Sequence, residues 1–411
     1  MAGFSLLSGR KLNKADRQTP TVRDFYEARA RKISFFRWAI LLLTVLFAVY
    51  GFLVHGTELT MDNFRYMLKF LSFTETDSAS SSELFHYDYA DDNQGALYKG
   101  DIVVLNGNGI SVYSKDAEKV FSFSFRMDNP RLISSGDSLY AYDLGGTEIR
   151  IFNSYSQIAR IGLDYPIYGF SASPSGSFAV VTAEKNYRSA VYVYDQYARQ
   201  TYKRLLSDTY ADYVALSDNG ASFILLGHYS EGGYLVSFLQ TYSLTQEEPT
   251  CSVTFTGEMP LKTGWLSADR YMVLTGEALR VYEAGSSEPY AALDLDPSTL
   301  EGCTLSHGRI LLSTAVSSLS GGSVLSVYDD YIREQLSVRF DGAIESKTIV
   351  GDCVYVLTVG QLTQIRLTDQ SAVRYPVSQD AVCVLENASG ELLVFEKRKA
   401  ALLSTYTPDP G

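Results

Sequence analysis

The order of apolar and polar positions divides the chain into two regimes. From Trp38 to Val54 the run WAILLLTVLFAVYGFLV holds no charge. With Ile33, Phe35 and Phe36 upstream it predicts a helix of about 33 Å, long enough to cross a bilayer. From about Leu84 onward no long helical period occurs, and apolar and polar residues alternate with period 2, as in half-buried strands. Shorter elements are expected beside the apolar run. Thr19-Pro20 can open a short helix through Phe25, Ala28 and Arg31. Thr60 can cap another, carrying Phe64, Met67, Leu68 and Leu71 at helical spacing. That stripe suits either the outer membrane surface or a neck packed against the β region. A polar linker without periodicity follows, from Thr74 to Ser82.

The β region repeats. Its clearest copy runs from Tyr168 to Leu206: a strand, a turn at Gly176, an apolar strand from Phe178 to Thr182, a third strand ending in Val-Tyr-Asp, and a fourth from Thr201. The turn recurs at Gly100, Gly136, Gly176, Gly220, Asp269, Gly308, Gly351 and Gly390, a mean step of about 41 residues, as expected for four-stranded propeller blades. Each turn leads into an apolar strand such as DIVVLNG, SFILLGH or CVYVLTV. The third strands share a branched–aromatic–polar ending: Val112-Tyr113-Ser114, Ile151-Phe152-Asn153, Val193-Tyr194-Asp195, Val281-Tyr282-Glu283 and Val327-Tyr328-Asp329. Such a pair presents one side chain to each blade face, so stacked blades bury both. The fold class is therefore all-β: a β-propeller of about eight four-stranded blades, preceded by one transmembrane α-helix. Seven blades is the alternative, if one copy is degenerate, and a pair of β-sandwiches is the bland one. The last copy, from Ala381 to Tyr406, supplies three strands, and ELFHYDY from Glu83 to Tyr89 is a spare outer strand that would complete it and close the ring.

Charge orients the anchor. The net charge is −12, yet the segment before the apolar run carries nine basic residues (Arg10, Lys11, Lys14, Arg17, Arg23, Arg29, Arg31, Lys32, Arg37) against Asp16, Asp24 and Glu27. That surplus of six leaves about −18 for the remainder. The positive-inside rule places the basic arm in the cytoplasm and the propeller outside. A long basic region, a long apolar run and no A-x-A site favour an uncut anchor over a cleaved signal peptide. An acidic exterior disfavours nucleic acid. The divisions are residues 1–32, a cytoplasmic arm; 33–54, the transmembrane helix; 55–82, a juxtamembrane helix and linker; and 83–411, the propeller.

Candidate chemistry is thin. His55, His86, His228 and His307 show no metal-ligand spacing, and Cys251, Cys303, Cys353 and Cys383 form no C-x-x-C pair. The cysteines read as buried thiols, although an exported domain can hold a disulfide. Gly145-Gly146, Gly232-Gly233 and Gly321-Gly322 read as hairpin turns, since no helix follows to make a phosphate cradle. Asp294, Asp296, Asp329 and Asp330 are the best enzymatic idea, because carboxylates from different blades can pair across a propeller centre; solvated loop acids are the ordinary case. Asp294-x-Asp296-x-Ser298 lacks the glycine and glutamate of a calcium loop. Tyr187, Tyr192, Tyr194, Tyr197, Tyr202, Tyr210 and Tyr213 suggest either packing between blades or a surface for sugar or peptide. Asn387-Ala388-Ser389 is a glycosylation sequon.

The basic arm, the helix at Trp38 to Val54, the neck from Thr60 to Leu71 and degenerate repeats such as AVYVYD at Ala190 to Asp195 resemble a family of single-pass bacterial membrane proteins, mostly from Gram-positive clostridia-like organisms, of unknown function. The resemblance covers essentially the whole chain and implies an extracytoplasmic propeller without assigned catalytic residues. The repeats also look like quinoprotein-type and outer-membrane-assembly propellers. Quinoprotein blades carry a Trp-centred motif; with only Trp38 and Trp265 here, that motif is absent.

The sequence thus points to a membrane-anchored, extracytoplasmic binding or scaffold protein, not an enzyme. It is expected to have no catalytic, cofactor-binding or metal residues and no cofactor. Its partners are the membrane, through one helix, and a protein or cell-wall glycan, without nucleic acid. An envelope hydrolase using propeller carboxylates is the runner-up. A sensor recruiting an internal partner through Met1 to Lys32 is the third reading.

Overall fold

The computed structural model describes residues 22–55, 84–114, 117–153, 156–316, 321–386 and 391–408. The chain forms two compact units, residues 1–74 and 75–411. The neck expected at 60–71, the linker, the sequon at 387–389 and the turn at Gly390 lie outside the described residues.

Among the described residues of the first unit one helix, Val22–His55, runs for 34 residues. The short helix expected through Arg31 is not separate from the apolar run. From Val22 to Tyr50 the sequence contains neither Pro nor Gly, so no breaker stops the helix. Ile33, Phe35, Trp38, Leu43 and Phe47 are all exposed along it. Thr44 Oγ1 returns a hydrogen bond to the Ile40 carbonyl at 2.9 Å, the usual way a helix satisfies a mid-run hydroxyl. Among the described residues no helix is long and apolar enough to cross a membrane.

The second unit is an eight-bladed β-propeller, each blade a four-stranded antiparallel sheet. Blades 1–7 span residues 94–124, 130–162, 167–206, 210–256, 260–294, 300–340 and 344–376. In each, chain order is also spatial order, so the first strand is innermost and the fourth outermost. The repeating turns fall between first and second strands. Gly136, Gly176, Gly220, Gly308 and Gly351 all have positive φ there, which glycine adopts without the Cβ clash.

The second strands, such as Asp101–Asn106 and Arg270–Thr275, are buried on both faces, because each is flanked by two blades. The third-strand endings behave the same way: Val193 and Tyr194, Val281 and Tyr282, and Val327 and Tyr328 are all buried. Every pair of neighbouring blades shares one apolar cluster, and these succeed one another round the ring.

Blade 8 closes that ring. Ala381–Glu386, Leu392–Glu396 and Lys399–Leu402 are its three inner strands, and Leu84–His86 pairs antiparallel with the last as its outer strand. Phe85 is buried in the cluster shared with blade 1, which contributes roughly 1.5–3 kcal/mol. The Tyr87 hydroxyl bonds the Glu396 carbonyl, and also the Lys399 carbonyl at 2.8 Å. Asn93 Nδ2 donates to the carbonyls of Asp88 and Lys397 at 2.8 and 2.9 Å. The edge left at each end of the repeat is thereby removed.

Candidate functional site

The inner strands of blades 3–8 share an irregularity. Near the start of each, one residue is skipped in the register with the second strand: Tyr168, Asp212, Leu261, Glu301, Glu345 and Val382. A bulge of this kind bends the strand and re-aims the extra side chain. All six lie on the propeller face that carries the second-to-third-strand loops and the blade-to-blade connections. In blade 4 the bulge needs Gly227 opposite it, because a Cβ there would stand 2.0 Å from the Tyr210 carbonyl oxygen.

Blade 4 differs further. Its middle strands, Ser222–Glu231 and Tyr234–Ser243, are ten residues each, joined by Gly232-Gly233 at positive φ. The inner strand, Tyr210–Leu216, stops pairing at His228, and the outer strand stops at Val236. The hairpin tip therefore projects beyond the blade, with Tyr234 68% exposed.

At its foot four side chains form a chain of contacts. His228 Nδ1 meets Asp212 Oδ2 at 2.7 Å. The Tyr210 ring stacks on the His228 ring, with centroids 5.3 Å apart and planes at 17°. The Arg188 guanidinium stands 5.3 Å over the Tyr210 ring and donates to its hydroxyl at 2.8 Å. Arg188 comes from the third strand of blade 3, Tyr187–Tyr194, whose buried Ser189 hydroxyl accepts the Ala211 N–H at 3.0 Å and so fixes the two blades together. Burial pushes the Asp212 carboxyl above its ordinary value, and the His228 hydrogen bond and charge recover only part of that cost.

These groups line a cleft of about 510 Å³, with Tyr168 and Tyr213 as further walls. A smaller depression of about 130 Å³ continues it past Asp212 and His228 to Leu235, Met259 and Pro260. Met259 is 61% exposed at that end. The groove thus has a cationic, aromatic end on blade 3 and an apolar end between the blade 4 hairpin and blade 5.

The other candidates have local roles. Asp296 accepts Ser298 Oγ at 2.6 Å and the Ser298 N–H at 2.9 Å, closing a turn. Asp329 accepts the N–H groups of Tyr331 and Arg333, both at 2.9 Å, and Asp330 pairs with Arg270 at 2.6 Å. Asp294 and Asp296 lie on the cleft face in blade 5, whereas Asp329 and Asp330 lie on the opposite face in blade 6, so these acids do not meet. Among the described residues no three His, Cys, Asp or Glu side chains gather as metal ligands. All four cysteines are free thiols, with Cys383 pushed up to about 12 by burial. Gly145 and Gly232-Gly233 sit in hairpin turns.

The tyrosine run splits. Tyr194 stacks on Phe178 at 4.9 Å and Tyr202 meets Phe223 edge-on at 5.6 Å, which is packing. Tyr197 lies under Arg199 on the opposite face. Tyr210 and Tyr213 line the cleft. Sequence reasoning missed Asp212, Arg188 and Tyr168, and gave His228 no partner. The available signal was spacing: Gly220 to Gly232 is 12 positions, against 9 from Gly136 to Gly145, so the blade 4 hairpin is visibly longer.

The profile of a family of unknown function, DUF5711, matches residues 72–402. The chain belongs to that family. No curated protein matches this DUF5711 chain by sequence. Solved structures show the fold. The computationally designed Ika8 protein superposes with a TM-score of 0.59 at 10% identity, covering 78% of this chain and 99% of its own. Sqt1 of Chaetomium thermophilum, bound to the N-terminus of ribosomal protein L10, gives 0.55 at 12% identity, covering 79% and 99%. The C-terminal WD40 domain of Sif2 gives 0.51 at 10% identity, covering 77% and 98%. At such identities the likeness for this DUF5711 propeller is one of fold alone.

Proposed function

We propose that this protein is a non-enzymatic binding scaffold that presents the blade 3–5 face of its propeller to a protein partner. The observation that carries the reading is the groove: an arginine, stacked aromatic rings and exposed Leu235 and Met259 on one face, beside a projecting hairpin. Arginine and tyrosine are residues on which protein interfaces concentrate binding energy. A propeller fold is compatible with this use, since Sqt1 is seen with a ribosomal protein's N-terminus bound. In the cleft Asp212 and His228 bond one another, the Tyr210 hydroxyl is held by Arg188 and the Ser189 hydroxyl by the Ala211 N–H, which favours recognition over bond cleavage.

The same proposal places the protein in the cytoplasmic membrane, N-terminus inside and propeller outside, as expected of a Gram-positive, clostridia-like envelope. Its support is the uncharged run from Trp38 to Val54, the basic surplus before it, and a continuous helix whose described apolar side chains, from Ile33 to Tyr50, are exposed. The test is crosslinking capture with the tagged full-length protein in its own membranes, alongside reagent labelling of engineered cysteines in the propeller. A reproducible protein partner and labelling from outside support the proposal. Wall glycan captured without protein, or labelling only after lysis, overturns it.

A further inference from the structure

We infer that the groove receives an extended peptide carrying a carboxylate at the Arg188 end and an apolar side chain at the Leu235–Met259 end. This rests on the scaffold reading and names its ligand.

Charge complementarity gives the first half. Arg150, Arg199, Arg270, Arg280, Arg333 and Arg366 each reach a carboxylate within the protein. Arg188, like Arg204 and Arg398, makes no such pair: exposed at the cleft, it contacts a phenol hydroxyl and a ring. One guanidinium nitrogen makes that hydrogen bond, and the fork has further donors of the kind that grip a carboxylate with two bonds. Asp212, the acid nearest in the cleft, is turned onto His228. At the far end, Leu235, Met259 and Pro260 offer apolar surface.

The hairpin decides for a peptide over an acidic sugar. Glu231 pairs with Tyr234 across the two-residue turn, and such a closing pair exchanges both hydrogen bonds. Alternation then turns the N–H and C=O of Ser230 and Leu235 away from each other, toward the two outer edges. The Leu235 carbonyl confirms the phase, since it accepts the Gly257 N–H at 2.8 Å on its own side. Ser230 faces the opposite, inner edge, where the blade's first strand has already ended at Tyr210. The backbone of Ser230 is therefore an open strand edge above the cleft. An extended chain laid in the groove pairs with it as a short continuation of the inner strand. A sugar acid would use Arg188 and the tyrosines but leave this edge unmatched.

The test uses the full-length protein in detergent micelles, panned against two displayed random-peptide libraries, one with free C-termini and one with internal segments. Peptides with Asp, Glu or a terminal carboxylate a few residues from a Leu, Ile, Met or Phe should be enriched. The chosen peptide should lose about tenfold or more in affinity for Arg188→Met, the size of a charge-assisted hydrogen bond. Arg188→Lys should keep part of it, and Arg199→Met, on the opposite face, should change nothing. Amidating the peptide's C-terminus separates a terminal carboxylate from an acidic side chain. Thermal unfolding of each variant shows that it folds. Enriched peptides that are basic or uncharged, or that bind Arg188→Met as well as the wild type, overturn the assignment. So does a polyuronate oligosaccharide that binds in an Arg188-dependent way while no peptide does. If no peptide is enriched but membrane crosslinking still captures a protein on another face, this inference fails and the scaffold reading stands.

Discussion

Two kinds of carboxylate meet a basic side chain in this propeller, and their pKa values are displaced in opposite directions. In blades 3 and 6 the segments Tyr194-Asp195-Gln196-Tyr197-Ala198-Arg199 and Tyr328-Asp329-Asp330-Tyr331-Ile332-Arg333 form matching turns between third and fourth strands. In each, one aspartate oxygen accepts two backbone N–H groups and the other the arginine Nε at 2.8 Å. Burial pushes both carboxyls up, but the arginine and the backbone donors outweigh it and hold them below the usual range. Asp212 is also partly covered, yet one histidine is its sole side-chain partner, and burial wins. The turn acids stabilise the fold, whereas the cleft acid is kept at a cost to it. An acid whose burial its one partner does not offset, in a cleft with an arginine that meets no internal carboxylate, marks a place arranged for something other than stability.

The sharpest way to break the contrast is to remove the bulge that creates it. Gly227→Ala places a methyl 2.0 Å from the Tyr210 carbonyl, so strand or bulge must shift. We expect a loss of roughly 1–3 kcal/mol in urea unfolding, together with loss of partner capture. Next, Asp329→Ala removes two backbone caps and an ion pair at a turn where Ile332 holds positive φ. That should cost about 1–2 kcal/mol in the same measurement and leave capture intact. Asp212→Asn should do the reverse: midpoint unchanged or slightly raised at neutral pH, within about 0.5 kcal/mol, with capture weakened. If Asp212→Asn destabilises as much as Asp329→Ala, the two acids are of one kind and the contrast is lost.

The smallest effect is in the pH dependence. A carboxyl with a raised folded-state pKa contributes stability that is present below its ordinary value of 3.8 and lost as pH rises through the raised value. For Asp329 the sign is opposite: its contribution is present above 3.8 and lost as pH falls through the depressed value. Wild type minus Asp212→Asn should therefore decline as pH rises above 3.8, and wild type minus Asp329→Asn should grow as pH rises toward 3.8. Urea titrations on either side of that pH read both slopes.

The sequence made the frame legible because the frame is periodic. Turn glycines about 41 residues apart, branched–aromatic strand ends and the spare strand before Gln94 each report a local requirement repeated round the ring. Eight blades and the closing strand followed directly. The cleft was not legible, for a reason in the same geometry. Arg188, Asp212, His228 and Met259 come from two blades and the connection into the next, and no repeat relates them. Asp212 reaches the groove only because a bulge shifts the register by one, and a one-residue shift leaves no mark in a pattern of period 2. The tyrosine run could be read as surface or core, and it holds both, because alternate strand positions face neighbouring blades while strand starts face solvent.

The closing strand also sets an order of events in time. Leu84 pairs with Ala401, more than three hundred positions later. During synthesis at about 5–20 residues per second, Phe85 waits from roughly a quarter of a minute to a minute for the strand it will cover. Its partner arrives last, and the loop to be closed is nearly the whole propeller, although the entropic cost of that length grows only logarithmically. Until then, blade 1 has a bare flank where blade 8 will dock, and seven blades stand as an open arc with an adhesive surface at each end. The seam between blades 8 and 1 is therefore where a nascent or partly unfolded ring can join a second copy of itself instead of its own tail.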